Sequence, residues 1–136
     1  MALTKANELA EIVRHFTYDN SNAKFTTTKP IDTGRRTGKT FTAASTNAAN
    51  LDTFAHATYR GAQYFIIVKA GSDYHGVGIN VIHDGTNAYY NQYGDVKSSG
   101  DLATFTADIS GDNVRIRITP TSASATATFQ RELVDV

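Results

Sequence analysis

The chain has 136 residues, thirteen basic and thirteen acidic side chains, a formal charge of zero and no cysteine. That length suits one compact domain. The neutral balance gives no basic field for nucleic acid, and the missing thiols exclude a disulfide framework or a thiolate metal centre. Charged residues are 19% of the chain, below the usual quarter, and Thr, Ser, Asn, Ala and Gly fill the difference. No apolar run approaches the roughly 20 residues of a bilayer span. Met1-Ala2-Leu3-Thr4-Lys5 lacks the basic-then-apolar layout of a secretory signal. The expected product is soluble and made in a cytoplasm.

Residues 4–16 form the one predicted helix. Leu9, Ile12, Val13 and Phe16 recur at i, i+3, i+4 and i+7 and make one apolar stripe. Thr4 can cap its start; Glu8 and Glu11 lie early and Arg14 and His15 late, as the helix dipole prefers. A helix of about three turns is too short to stand alone in water. The stripe must dock, on the sheet or on a neighbouring subunit, which makes these four residues candidate interface positions. Residues 18–49 are rich in Thr, Asn and Lys, with Phe25, Ile31 and Phe41 as sparse anchors. Short edge strands are expected over 24–28 and 39–43, on an arm that orders by contact with another chain.

From residue 51 the alternation strengthens. A strand is expected over 51–59. In the next, Tyr64, Ile66 and Val68 point one way and Phe65 and Ile67 the other, so that strand should be covered on both faces, by a second layer or by another subunit. Val77, Ile79 and Val81 then face the core, with Gly76, Gly78 and Asn80 opposite, where small residues leave room for close packing. Asp84-Gly85 reads as a type I′ hairpin turn into residues 87–94. Ala103, Phe105, Ala107 and Ile109 alternate, as do Val114, Ile116 and Ile118 beyond the Ser110-Gly111-Asp112-Asn113 turn, and Ala125, Ala127 and Phe129 follow. The fold class is all-β: an antiparallel, jelly-roll-like β-sandwich with one short N-terminal helix and an extended arm. Residues 1–50 are expected to be the attachment segment and 51–136 the body.

Catalytic and cofactor motifs fail on spacing. Gly34-Arg35-Arg36-Thr37-Gly38-Lys39-Thr40 has three residues where a phosphate loop needs four before Gly-Lys, and no helix follows. His15, His56, His75 and His83 have no chelating spacing and read as surface or turn histidines. Asp73, Asp84, Asp101, Asp108 and Asp112 read mostly as turn residues, and no nucleophile elbow is present. No enzyme, cofactor or metal is expected. Two surfaces remain. Tyr89, Tyr90 and Tyr93 with Asn91 make a candidate receptor or glycan face, since rings stack on sugars and amides bind hydroxyls, although Tyr also suits half-buried strands and protein interfaces. Arg115 and Arg117 share one strand face and either pair with acidic groups of a neighbour or keep that face solvated.

Three blocks carry a family resemblance: Phe54-Ala55-His56-Ala57-Thr58-Tyr59-Arg60-Gly61-Ala62-Gln63-Tyr64, Val81-Ile82-His83-Asp84-Gly85-Thr86-Asn87-Ala88-Tyr89, and residues 102–115 ending in Thr119-Pro120-Thr121. In that order and spacing they resemble a β domain recurrent in virion structural and tail-fibre-like proteins of marine tailed phages, especially those of cyanobacteria. The resemblance implies a non-enzymatic virion component, produced in the host cytoplasm. Its partners would be other capsid or tail proteins and further copies of itself, with a homotrimer preferred. In that family the domain often sits inside long multi-domain proteins. Here it makes up most of the chain, which favours a small capsid decoration subunit, with a tail-tip protein binding a host receptor or surface glycan as the alternative.

Overall fold

The structure is a computed structural model and describes residues 16–19, 24–27 and 36–136. The chain divides into two compact units, Met1–Gly34 and Arg35–Val136. Within the first, β1 (Phe16–Asp19) pairs antiparallel with β2 (Lys24–Thr27), so the edge strand expected over 24–28 is present. The predicted helix lies outside the described residues, except for Phe16, which opens β1.

The second unit is all-β. It contains β3 (Arg36–Thr42), β4 (Ala49–Ala55), β5 (Tyr59–Ala70), β6 (Asp73–His83), β7 (Ala88–Lys97), β8 (Ala103–Ser110), β9 (Asn113–Pro120) and β10 (Thr126–Asp135). They form two antiparallel sheets, one of five strands in the order β3-β10-β5-β6-β7 and one of three in the order β4-β9-β8. The unit starts at Arg35 rather than near residue 51 because β3 pairs with β10 along its whole length, from Thr42↔Thr126 to Arg36↔Glu132. Gly38, Lys39 and Thr40 lie inside that strand, so the Gly-Lys-Thr run is extended backbone and cradles no phosphate.

Alternation builds the core. Tyr64, Ile66 and Val68 of β5, Val77, Ile79 and Val81 of β6 and Ala127 and Phe129 of β10 turn inward. They meet Leu51 and Phe54 of β4, Phe105 of β8 and Val114, Ile116 and Ile118 of β9 in one buried cluster. The rings of Tyr64 and Phe129 lie 5.8 Å apart in a tilted pair, an arrangement that aromatic quadrupoles favour. The other face of β5 is open among the described residues: Phe65 is 56% and Ile67 40% exposed. Within the one chain, the expected cover is present on one face of β5.

Four polar side chains cross the layers. Asp52, its side chain 2% exposed, accepts a 3.0 Å hydrogen bond from the Tyr64 hydroxyl and pairs with Lys39 Nζ at 3.0 Å and with Arg131. Asp52 sits on the three-stranded sheet, and its partners sit on β3, β5 and β10 of the other. Burial, reinforced by the Asp52 carboxylate, pushes the Tyr64 phenol far above its ordinary range, so it remains a donor. Asp52 lies beside a bulge between Asn50 and Asp52, where β4 slips against β9. There Leu51 and Asp52 are both buried, against strict alternation.

Candidate functional site

The outer face of the five-stranded sheet collects the exposed aromatic and apolar side chains. Phe65 pairs across to Gly78 and Ile67 to Gly76; Gln63 pairs to Asn80, Asn80 to Asn91 and Gly78 to Tyr93. One surface therefore runs from Gln130 on β10 through Gln63, Phe65 and Ile67 to Tyr89, Asn91 and Tyr93 on β7. A Cβ at Gly78 would lie 2.5 Å from two atoms of the Tyr93 ring and 3.0 Å from a third, so the ring covers that glycine with its face. Gln63 Nε2 donates to the Tyr93 hydroxyl at 2.8 Å. The ring is thus fixed parallel to the sheet with its other face outward, beside a depression of about 290 Å³ bordered by Gln63, Phe65, Gln130 and Glu132.

Of the four residues predicted as a receptor face, Tyr89, Asn91 and Tyr93 share this surface. Tyr90 does not: it pairs with Val81, which points into the core, so parity sends its ring to the opposite side of β7. It stays exposed there because β7 is the edge strand, whose residues beyond Ala88 are all open to solvent. Tyr89 and Tyr90 both border a second depression of about 300 Å³ with Asn80, Ile82 and Asn91.

The β6–β7 connection holds Tyr89. The expected two-residue turn is instead a loop over 84–87, closed by the His83↔Ala88 pair. Asp84 makes the difference: its Oδ1 accepts the Thr86 and Asn87 amides at 2.8 and 2.7 Å, and its Oδ2 accepts the Tyr89 hydroxyl at 2.9 Å. Gly85 supplies the left-handed step at φ 97°. The amide donors of Asn87 and Thr86, then the Tyr89 hydroxyl, hold the Asp84 carboxyl down at about 2, and the same contact raises the Tyr89 phenol. Because the folded value lies below the unfolded one, the turn's contribution is whole above the ordinary carboxylate range and is lost as pH falls through about 2. Carboxyl carbon shifts followed by NMR should show Asp84 still ionised at pH 3; ordinary titration there would mean that the loop is open in solution.

His75 and His83, read as surface or turn groups, are buried. They have the inward parity of Val77, Ile79 and Val81 on β6, a signal present in the sequence. His83 Nδ1 accepts the Gly85 amide at 3.1 Å and Nε2 donates to the Tyr59 carbonyl at 2.7 Å. His75 Nδ1 accepts the Leu102 amide at 3.3 Å, which leaves the ring proton on Nε2, 2.5 Å from Asp95. His75, Asp95 and Asp101 bring their ligand atoms within 4.8 Å of one another. Lys97 Nζ, however, already pairs with Asp95 at 2.6 Å and Asp101 at 2.7 Å. A metal on Nε2 would force the proton to Nδ1, against the Leu102 N–H. The group is an ion-pair clasp on the β7–β8 connection: Lys97 holds the Asp95 carboxyl low, and Asp101, then Asp95, raise Lys97.

Among the predicted interface residues, Leu9, Ile12 and Val13 lie outside the described residues and Phe16 is described only as part of β1. Arg115 and Arg117 lie on β9 facing away from the core. Arg115 grips Asp108, its cross-strand partner, through two 2.7 Å hydrogen bonds that lower the carboxyl. Arg117 donates to the Ala48 carbonyl at 3.3 Å. Both arginines therefore make contacts within the chain.

Fold and site define the described body as a two-sheet antiparallel β protein with an exposed aromatic and amide surface. No family model and no curated protein matches the chain. Among solved structures it is similar to the tailspike protein of Acinetobacter phage vB_ApiP_P1, at TM-score 0.49 and 18% identity over 71% of this chain. It is also similar to the tailspike protein of Acinetobacter baumannii phage AM24, at TM-score 0.32 and 13% identity over 74% of this chain. The matched part is 22% of the first tailspike chain and 26% of the second.

Proposed function

We propose that this chain is a non-enzymatic structural component of a tailed-phage virion, a β-sandwich module that works at the particle surface through protein–protein assembly. One observation carries this reading. The described body closes its core on one side of the five-stranded sheet and leaves a contiguous apolar and aromatic surface on the other, a patch of the kind that is often a functional contact site. The three sequence blocks that resemble marine-phage virion domains support the same assignment. A capsid decoration subunit would hold to the particle through many weak contacts summed over a symmetric surface.

A second reading rests on Tyr93. A ring fixed flat over Gly78 by Gln63, with Asn80, Asn91 and Gln130 on the same face, is a platform for a sugar ring and its hydroxyls. In this reading the chain is a tail-tip component that binds a host surface glycan. One experiment separates the two. Gold-labelled antibody against residues 36–136 should decorate purified particles of the phage that encodes the chain, and unlabelled particles would overturn the virion assignment. Particles carrying Tyr89→Ala and Tyr93→Ala should adsorb to host cells as well as the parent if the chain decorates the capsid. A loss of adsorption on the order of tenfold or more, with antibody labelling unchanged, would select the glycan reading.

A further inference from the structure

The part of the outer face away from the β6–β7 loop differs from the Tyr93 platform. Phe65, Ile67, Tyr74 and Val96 enclose a groove of about 600 Å³, with Gly76 at its floor and Lys97 and Ser98 at one end. Val96 is 71% exposed, on a strand where charge would ordinarily guard the edge. The charges nearby are already engaged. Lys97 is held by Asp95 and Asp101, and Lys69 Nζ lies over the Tyr74 ring, 5.7 Å from its centre. An acidic or basic partner would find little to pair with here.

We propose that this groove is where copies of this chain meet, the Phe65–Ile67–Tyr74–Val96 surface of one packing against the same surface of another. At the usual sizes of these side chains, their exposed fractions together with that of Tyr93 leave about 500 Å² of mainly apolar surface. A standard interface covers about 800 Å² per partner, of which a homomeric contact makes about 65% apolar. The patch therefore matches the apolar centre of such an interface, and Thr128, Gln130 and Ser98 around it match the polar rim. Zero net charge lets identical copies approach without long-range repulsion. The groove beside the Phe65 ring gives one surface both a knob and a hole, as self-pairing requires. The inference uses the same exposed surface as the particle reading, but a monomer in solution would overturn it and leave that reading standing.

Light scattering on the full chain up to about 100 µM, where even weak self-association registers, should return twice the monomer mass, because a surface that packs against its own copy closes as a pair; a trimer would overturn the same-surface contact. Ile67→Glu is the first test variant, because its side chain is already exposed. Gly76→Glu is the second: a Cβ there meets nothing closer than the Val96 carbonyl at 3.8 Å, so the sheet tolerates it while a charge fills the groove. Each should raise the dissociation constant at least about tenfold, with the circular dichroism spectrum unchanged. A wild-type chain that stays monomeric at every concentration would overturn the proposal and leave the face to a different protein. A multimer that survives both substitutions would overturn it too, placing self-association elsewhere on the chain.

Discussion

Asp52→Asn is expected to remove about 3–5 kcal/mol of stability, the usual result of breaking a buried ion pair from one side. At this size that corresponds to a thermal midpoint lower by on the order of 20 °C. The asparagine fits the space but cannot neutralise Arg131, whose side chain is 12% exposed and whose contacts are Asp52 and the Thr53 carbonyl. Tyr64, inside the core, would exchange a carboxylate acceptor for a neutral amide. Lys39→Ala should cost far less, because its side chain is about half exposed and water can take over its solvation. Urea unfolding at pH 7, followed by circular dichroism, measures both. A loss below about 1 kcal/mol for Asp52→Asn would mean that the carboxylate is solvated rather than held between the sheets. The damage should extend beyond stability, because Asp52 is the point where β4 is tied to β3, β5 and β10 and so fixes one sheet against the other.

Most of the body was legible because one period of two governs it. The same parity that sends Val77, Ile79 and Val81 inward places Gly76, Gly78 and Asn80 outward, and the sequence expectation that something packs closely over the small residues is met at Gly78, by the Tyr93 ring, and not at Gly76. His75 and His83 obey that parity as well. Chemical habit, which places histidine at surfaces, concealed what position implied. Asp52 was hidden for a different reason, since a bulge breaks alternation at that point and no local pattern marks a buried carboxylate. Its partners are 12, 13 and 79 residues away in sequence, so only the assembled layers bring them together. Tyr90 shows the converse. Composition grouped it with Tyr89 and Tyr93, but a strand turns neighbours to opposite sides. The Asp84 turn was legible in place but not in length, because the side chain captures two backbone amides and an Asx-type loop replaces the tight turn.

The two faces of β5 yield the other large expected effect, from two adjacent isoleucines. Ile66→Ala should cost about 2–5 kcal/mol, as deleting a buried aliphatic side chain from a packed core does. Ile66 is fully buried between the sheets, whereas Ile67, next to it on the same strand, is 40% exposed. In the isolated chain, Ile67→Ala should cost less than about 1 kcal/mol, chiefly the loss of lateral contacts on a half-open sheet surface. Urea unfolding of the pair at low protein concentration measures this contrast, and equal costs would mean that both faces of the strand are covered within one chain. Repeating it at high concentration adds a second reading. If copies associate through the outer face, the Ile67→Ala penalty must grow with concentration, because the wild type alone gains stability by mass action. The Ile66→Ala penalty should keep its low-concentration value, plus whatever the weakened fold loses in association. A concentration-dependent cost at residue 67 with an almost constant one at residue 66 would separate what the inner face does for folding from what the outer face does for contact.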